Sequence, residues 1–410
     1  MEKVRFAVIG VGNMGSVHAR NLLEGKVPDA VLSAVCDLRP ERMEAVTSLP
    51  GGKGVKQFDD YHGLLCSGVA DAVIIATPHY LHPPIAVEAF AAGLHVLSEK
   101  PAGVYTKQVK EMNHAAEESG KLFTLMFNQR TNCLYRKMRE MIAAGELGAI
   151  RRINWIITDW YRSQSYYDSG DWRATWRGEG GGVLFNQCPH QLDLLWWITG
   201  MMPARIRAFC RFGQWHDIEV EDDVTAYLEY ENGATGVFIT TTADTPGTNR
   251  LEITGNNGKL VCENGKLFFD ELEMPERVFN ATYKGGFGTP AHHLREVETD
   301  GENLQHIGIL RNFARAILGL EPLYVDGREG LRGVELMDAM LLSTWLDRTV
   351  SLPVDDDLYL VELGKRIAAG RVKTGGGRVL DTAGTYGGAP GKAETERPKA
   401  TPDAAGEGAE

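Results

Sequence analysis

Two residues carry the types and settings that proton-transfer chemistry needs. Lys100 sits between Glu99 and Pro101, directly after the strand-like run His95-Val96-Leu97-Ser98. His190 lies in Asn186-Gln187-Cys188-Pro189-His190-Gln191-Leu192-Asp193. A lysine at a strand end, before a proline and beside a bound ligand, is partly desolvated. Desolvation lowers its pKa and makes it usable in proton transfer near neutrality. Histidine serves as a general base in the same pH range. Pro189 fits the first position of a helix. Spacings of three and four put Asn186 just before that helix, with His190 and Asp193 on one side of it. The plainer alternatives are a surface lysine paired to Glu99 and a structural histidine at a helix start.

The elements that must position these residues begin at the N-terminus. Val4–Ile9 is an apolar strand, Gly10-Val11-Gly12-Asn13-Met14-Gly15 follows with no gap, and 16–23 reads as a helix. That context makes the G-x-G-x-x-G pattern a dinucleotide site. Gly10 allows the sharp turn, Gly12 lets a pyrophosphate approach, and Gly15 lets helix and strand pack closely. The N–H groups at the helix start, around Asn13 and Met14, face the anion. Ala30–Cys36 is a second strand and ends at Asp37. An acidic residue about 20 positions past the glycines grips a ribose diol and repels a 2′-phosphate. Asp37 therefore favours NAD. Arg39 tempers this, because a nearby arginine serves NADP, the less expected cofactor. The alternative for Asp37 is a strand-end turn residue.

Ala72–Ala76 leads into Thr77-Pro78-His79-Tyr80-Leu81-His82, and Pro83 opens a helix ending at Gly93. Residues 104–120 are helical and 122–127 form a sixth strand. Strands alternating with helices mean an α/β, doubly wound parallel sheet of the Rossmann kind. Ligands of such sheets bind outside the carboxyl ends of the strands. Gly10–Gly15, Asp37, Thr77–His82, Glu99–Pro101 and Asn128–Arg130 all fall at those ends. Ala76, Thr77, Pro78, His82, Glu99 and Lys100 are thus candidate cofactor contacts, and Arg130 a candidate substrate contact.

The pattern changes after residue 128. Leu134–Ala144 is an amphipathic helix, and strands follow at 150–158, 205–212, 224–230, 235–242, 250–254, 259–263 and 266–269. Short turns such as Glu231-Asn232-Gly233 imply one large, mostly antiparallel sheet in an α+β domain spanning 129–354. Pro189–Thr199 is a candidate helix to cover one face. An exposed remainder would suit pairing into a homodimer or homotetramer. Helices at about 303–318 and 327–348 should return to the first domain. Between the strand at 150–158 and the helix Pro189–Thr199, Trp160-Tyr161-Arg162 and Asp171-Trp172-Arg173 bring aromatic rings and arginines together. Aromatic faces stack on sugar C–H surfaces, and arginines grip hydroxyls or carboxylates. Tyr161, Trp172 and Arg173 are therefore candidate contacts to a polyhydroxylated substrate; the alternative is packing aromatics with solvated arginines.

Composition bounds the rest. The 410 residues suit two domains plus appendages, and residues 371–410 read as a disordered tail. A net charge of −12 argues against nucleic acid or an anionic membrane as partner. The six cysteines form no C-x-x-C pair, so free thiols and no metal site are expected. No apolar stretch approaches ~18 residues. Residue 4 already opens a strand, which leaves no room for a signal peptide, and a cytoplasmic location is expected.

The sequence resembles the glucose–fructose oxidoreductase / inositol dehydrogenase (Gfo/Idh/MocA-type) family. The resemblance rests on Gly10–Gly15, Ala76-Thr77-Pro78, His82, Glu99-Lys100-Pro101, Trp172-Arg173, Gly180-Gly181-Gly182, His190 with Asp193, and Leu352-Pro353. It implies an NAD(P)-dependent oxidoreductase moving a hydride between the nicotinamide and a secondary hydroxyl of a sugar, inositol or derivative. The family's proton-transferring lysine and histidine fall on Lys100 and His190, and its substrate-gripping aspartate on Asp193. Where members commonly carry an aspartate four residues before the histidine, this chain has Asn186. An amide orients a hydroxyl but is no base, so Asn186 is assigned to substrate orientation. Two other outcomes are compatible with the resemblance: a redox-neutral, NAD-dependent glycosidase, and a non-catalytic NAD-binding regulator.

Overall fold

The computed structural model describes residues 3–373. The expected tail lies outside the described residues from 374 onward.

The first sheet is built from β1 (Val4–Ile9), β2 (Ala30–Cys36), β3 (Lys56–Phe58), β4 (Ala72–Ile75), β5 (His95–Ser98) and β6 (Phe123–Leu125), connected by α1 (Asn13–Leu23), α2 (Pro40–Thr47), α3 (Tyr61–Cys66), α4 (His82–Ala91) and α5 (Thr106–Ser119). Every pairing is parallel, in the order β3-β2-β1-β4-β5-β6. All four residues of β4 and all but Arg5 of β1 are inaccessible or nearly so, as strands covered on both faces must be. The chain order reverses between β1 and β4, which opens a crevice at their carboxyl ends. Register sets what lines it. Ile9 pairs with Cys36 and with Ile75, and Ile75 pairs with Ser98. Gly10, Asp37, Ala76 and Glu99 therefore leave the sheet at one level.

The second half opens with α6 (Cys133–Ala143), β7 (Ile150–Ile157), and the short α7 (Gln164–Tyr167) and α8 (Val183–Asn186) before α9 (Pro189–Thr199). Then come β8 (Arg205–Phe212), β9 (Glu221–Glu229), β10 (Thr235–Thr241), β11 (Asn249–Gly255), β12 (Gly258–Glu263), β13 (Lys266–Leu272), α10 (Glu276–Thr282) and β14 (His292–Glu296). The chain continues through α11 (Gln305–Ile317), α12 (Gly330–Trp345), β15 (Val350–Ser351) and α13 (Asp356–Ala369). Nine strands form one sheet, ordered β14-β13-β12-β11-β7-β10-β9-β8-β15. Only β7 and β10 run parallel. Along β9, Val224, Ala226 and Leu228 point inward while Thr225 and Tyr227 point out, the period-2 pattern of a sheet covered on one face. The inner face shares a core with α6, α9 and α12. The outer face leaves Ile156, Phe209, Phe212 and Tyr227 exposed.

In this half, two strands and the helices α7, α8, α10 and α13 fall outside the expected pattern. β14 is exposed along its whole length, so it shows no alternation of apolar and polar residues. β15 has two residues. α13 is held by its cap: the Asp355 side chain accepts from the N–H groups of Asp357 and Leu358. It buries Tyr359 and Leu363 against the second core. The first residues of the expected tail are also anchored. Lys373 Nζ donates to the carbonyls of Tyr167 at 2.8 Å and Arg173 at 3.2 Å. Ile309, Leu310, Phe313 and Ala314 of α11 are buried with β1, and the rings of Phe6 and Phe313 lie 5.9 Å apart.

Candidate active site

The glycine turn has the shape of an anion cradle. Gly10 has φ +85°, and a Cβ there would stand 2.7 Å from Ala76 O. A Cβ on Gly15 would stand 1.8 Å from Gly10 O, so only glycine permits this helix–strand approach. Around Gly12 a Cβ would meet nothing nearer than Arg42 Nη1 at 3.7 Å. The space at Gly12 is therefore open, just before the first N–H groups of α1 at Asn13 and Met14, which lack helical partners. No side chain caps this helix. Asp37 braces the turn: its carboxylate accepts from Val11 N at 2.9 Å and Arg39 N at 3.0 Å. Two acceptances leave lone pairs free for a ribose diol. The side chain of Arg39 is exposed. Arg42, which the spacing did not single out, lies 3.6 Å from Asp37 Oδ2. Thr77 Oγ1 is buried without a hydrogen-bond partner, at the end of β4. These residues fit a dinucleotide.

Two expected contacts, His82 and Glu99, have other side-chain partners. The two ring nitrogens of His82 each lie 2.8 Å from a carbonyl oxygen, of Pro101 and Thr77. His82 thus braces the loops after β4 and β5 from beneath and offers no free nitrogen to a ligand. Glu99 is buried; it meets His18 Nε2 at 2.7 Å and accepts from Lys100 N at 3.2 Å. Burial works against its charge, but the His18 hydrogen bond and nearby positive charge prevail and bring its pKa down to about 2. Ala76 and Pro78 contribute backbone only: Ala76 N donates to Ile9 O at 2.8 Å, and Pro78 precedes the turn His79–Leu81.

Lys100 links the two halves of the chain. Its ammonium donates to the backbone carbonyl of Asn186 at 2.8 Å. Burial lowers its pKa, Glu99 and Glu179 oppose that, and Arg162 and Arg173 add to it. His190, on the first turn of α9, stands edge-on to Phe127, with centroids 6.4 Å apart. Its Nδ1 is buried with no partner. Burial, then the charge of Lys100, holds this histidine well below its ordinary pKa, so it is a neutral imidazole at pH 7. A neutral imidazole keeps one nitrogen lone pair to accept a proton.

The loop from 160 to 186 forms the other wall. The Tyr166 hydroxyl donates to Asn186 Oδ1 at 3.2 Å and accepts from Arg173 Nη1 at 2.8 Å. Asn186 Nδ2 donates to Glu179 Oε1. Glu179 is buried, and burial raises its pKa. Trp172 meets the ring of His79 edge-on at 5.7 Å, and His79 Nδ1 lies 3.1 Å from Glu179 O. Tyr161 is 51% exposed and meets Arg162 only through its backbone carbonyl. Tyr166, Glu179 and Arg162 were absent from the expected site set. Arg162 and Glu179 sit within the aromatic–arginine and glycine runs, but nothing in their spacing separates them from solvated charges.

Asp193 and Arg130 were both expected to touch substrate. Instead they hold each other. Arg130 Nε and Nη2 donate to the two oxygens of Asp193 at 2.7 and 2.6 Å, and both side chains are 1% exposed. Arg130 Nη1 reaches Glu329 at 2.5 Å, and its guanidinium lies 5.2–5.4 Å from the ring centroids of Phe127, Trp196 and Trp197. A bidentate pair so enclosed leaves neither group for a ligand. It ties α9, and with it His190, to the end of β6.

Residues 4–127 match the family model described as "Oxidoreductase family, NAD-binding Rossmann fold", and residues 135–261 match "GFO/IDH/MocA C-terminal domain". The chain belongs to the GFO/IDH/MocA family. It is an NAD-binding oxidoreductase of that family. Among GFO/IDH/MocA relatives, the Rhizopine catabolism protein MocA of Rhizobium meliloti is 27% identical over 208 residues, 50% of this chain and 61% of that protein. The scyllo-inositol 2-dehydrogenase (NAD(+)) of Bacillus subtilis is 28% identical over 265 residues, 63% of this chain and 73% of that protein. The WlbA dehydrogenase of Bordetella pertussis, solved with NADH and UDP-GlcNAcA, superposes with a TM-score of 0.73 at 28% identity, over 86% of this chain and 100% of that one. Sugar and polyol dehydrogenases thus surround this chain, and the glycosidase alternative finds no support among them. Among the described residues, no helix is long and apolar enough to cross a membrane, no cluster of His, Cys, Asp or Glu is placed to hold a metal, and all six cysteines are free.

Proposed function

We propose that the chain oxidises a secondary hydroxyl of a sugar, inositol or sugar derivative, with NAD as the acceptor. The observation that carries this is the hydrogen bond from Lys100 Nζ to Asn186 O. It ties the amine at the end of β5 to the segment that carries His190. NAD, when bound, supplies the ring that takes the hydride. The protein's part is proton management. Neutral His190 accepts the hydroxyl proton at its free lone pair, and the Lys100 ammonium stands by the oxygen as negative charge develops there. Asn186, fixed between Tyr166 and Glu179, orients the same hydroxyl. Asp37 supports NAD over NADP, and the exposed apolar residues on the outer sheet face support pairing of subunits there. The bound sugar of the WlbA complex supports a carbohydrate substrate. Lys100→Met should lower turnover by ~10²–10⁴ while NAD still binds, read as NADH absorbance across a panel of polyols, aldoses, uronates and glycosides. Full turnover in that variant defeats the assignment. Tight NAD binding with no NADH from any panel member favours a non-catalytic regulator.

A further inference from the structure

Two guanidinium groups stand in the substrate wall with no carboxylate partner. Arg162 and Arg173 lie 5.2 and 4.6 Å from the centroid of the Tyr166 ring. Arg173 also lies 4.6 Å from the Trp172 centroid, and Arg162 lies 5.7 Å from that of Trp160. Among the described residues, neither forms an ion pair within 4.0 Å. Arg130, by contrast, is met by two carboxylates. Hydrogen bonds connect Arg173 to the segment that meets Lys100: Arg173 to the Tyr166 hydroxyl, that hydroxyl to the Asn186 amide, and Lys100 to the Asn186 carbonyl. Three cations therefore share one wall. Glu179 is the nearby carboxylate, and its charge is felt by Arg173 and Lys100, but it forms no direct ion pair with either among the described residues. Its oxygens accept from Asn186 Nδ2 and from Ala174 N, and it is buried.

Such an arrangement is costly with a neutral ligand. Each guanidinium keeps most of its five donors, in a planar fork that matches a carboxylate, and neighbouring like charges repel. Stacking on Tyr166, Trp172 and Trp160 orients both forks, so little side-chain freedom is lost when an anion arrives.

We infer that the substrate carries an acidic group, a carboxylate on the sugar, received by Arg162 and Arg173 while its hydroxyl faces Lys100 and His190. This rests on the dehydrogenase reading and narrows it to sugar acids. The carboxylate is bound and not consumed; with NAD bound, the carbon bearing the hydroxyl would give up a hydride to it while the hydroxyl oxygen gives its proton to His190, leaving a carbonyl.

The test is calorimetric titration of the NADH-loaded protein with D-glucuronate, D-glucose and D-glucose 1-phosphate. Glucuronate should bind at least about ten-fold more tightly than glucose, the gain expected of charge-assisted hydrogen bonds. The preference should weaken as salt rises, and Arg173→Met and Arg162→Met should each narrow it. Equal or tighter binding of glucose, or no measurable binding of glucuronate, overturns the inference. Tighter binding of glucose 1-phosphate overturns it in favour of a phosphate subsite. Salt dependence in the unaltered protein keeps the test decisive should either variant fold poorly. The two readings fail separately. NADH formation from neutral sugars without acid preference leaves the dehydrogenase standing and removes the acid. Glucuronate binding with no NADH from any sugar does the reverse.

Discussion

Asp193→Leu should unfold the protein more readily, before it tells anything about substrate. The substitution removes a carboxylate that is 1% exposed and takes two hydrogen bonds from Arg130, at 2.7 and 2.6 Å. Arg130 then keeps one partner, Glu329, which is 32% exposed. Removing one member of a buried pair costs roughly 3–5 kcal/mol, because the remaining charge has lost its compensation. Here Glu329 and the rings of Phe127, Trp196 and Trp197 cushion the loss, so the lower end of that range applies. That corresponds to a fall in Tm on the order of 5 °C, read by calorimetry or by fluorescence of the flanking tryptophans. The double variant Arg130→Met/Asp193→Leu removes both charges, replaces them with apolar groups, and should recover at least half of the loss. If Asp193 gripped substrate instead, the single variant would keep its Tm and raise KM, and the two substitutions would be additive in stability. Either result refutes the structural assignment of this pair.

Further outcomes follow from the cofactor loop and from one buried acid. Gly12→Ala should leave Tm unchanged, because its Cβ meets only the flexible end of Arg42 at 3.7 Å, yet weaken NAD binding by crowding the pyrophosphate approach. A cofactor titration checks it, and unaltered affinity refutes the placement. Asp37→Ser, with Arg42 left in place, should move cofactor preference toward NADP by about ten-fold or more, measured by titrating both. Glu221 is fully buried: its Oε1 accepts from the N–H groups of Gly182 and Leu184, and its Oε2 has no partner. Burial raises its pKa from 4.5 to about 8. The unfolded chain thus releases this proton earlier than the folded one, so stability falls as pH rises between those values, by up to about 1.4 kcal/mol per unit. Glu221→Gln cannot ionise and should flatten the Tm profile across that window; an unchanged slope refutes the shift.

The nucleotide half was legible in the sequence because its signals are local. A strand, a glycine turn and a helix occupy residues 4–23, and the acidic end of β2 follows at Asp37. Backbone sterics at Gly10 and Gly15 depend on neighbours set by that same short segment and the adjoining strand. The pattern of strand-length runs between short turns likewise announced the long strands of the second sheet. It failed for β14, exposed along its whole length, and for β15, too short to hold a period. The position of Lys100 at a strand end also followed from chain order alone.

What spacing could not decide was the partner of each polar side chain. Asp193 lies on the same helix as His190, which made a substrate role natural; only folding brings Arg130, 63 residues away, against both its oxygens. His82 sits at the crevice in sequence, yet its ring turns beneath the loops to the carbonyls of Thr77 and Pro101. Tyr166, Glu179 and Asn186 meet because a loop without regular periodicity closes on itself. Sequence fixes which groups are available and roughly at which rim they emerge. Whether a charge faces a ligand or a buried countercharge depends on contacts between distant segments, since desolvation is settled by everything that surrounds a side chain and not by the residues beside it in the chain.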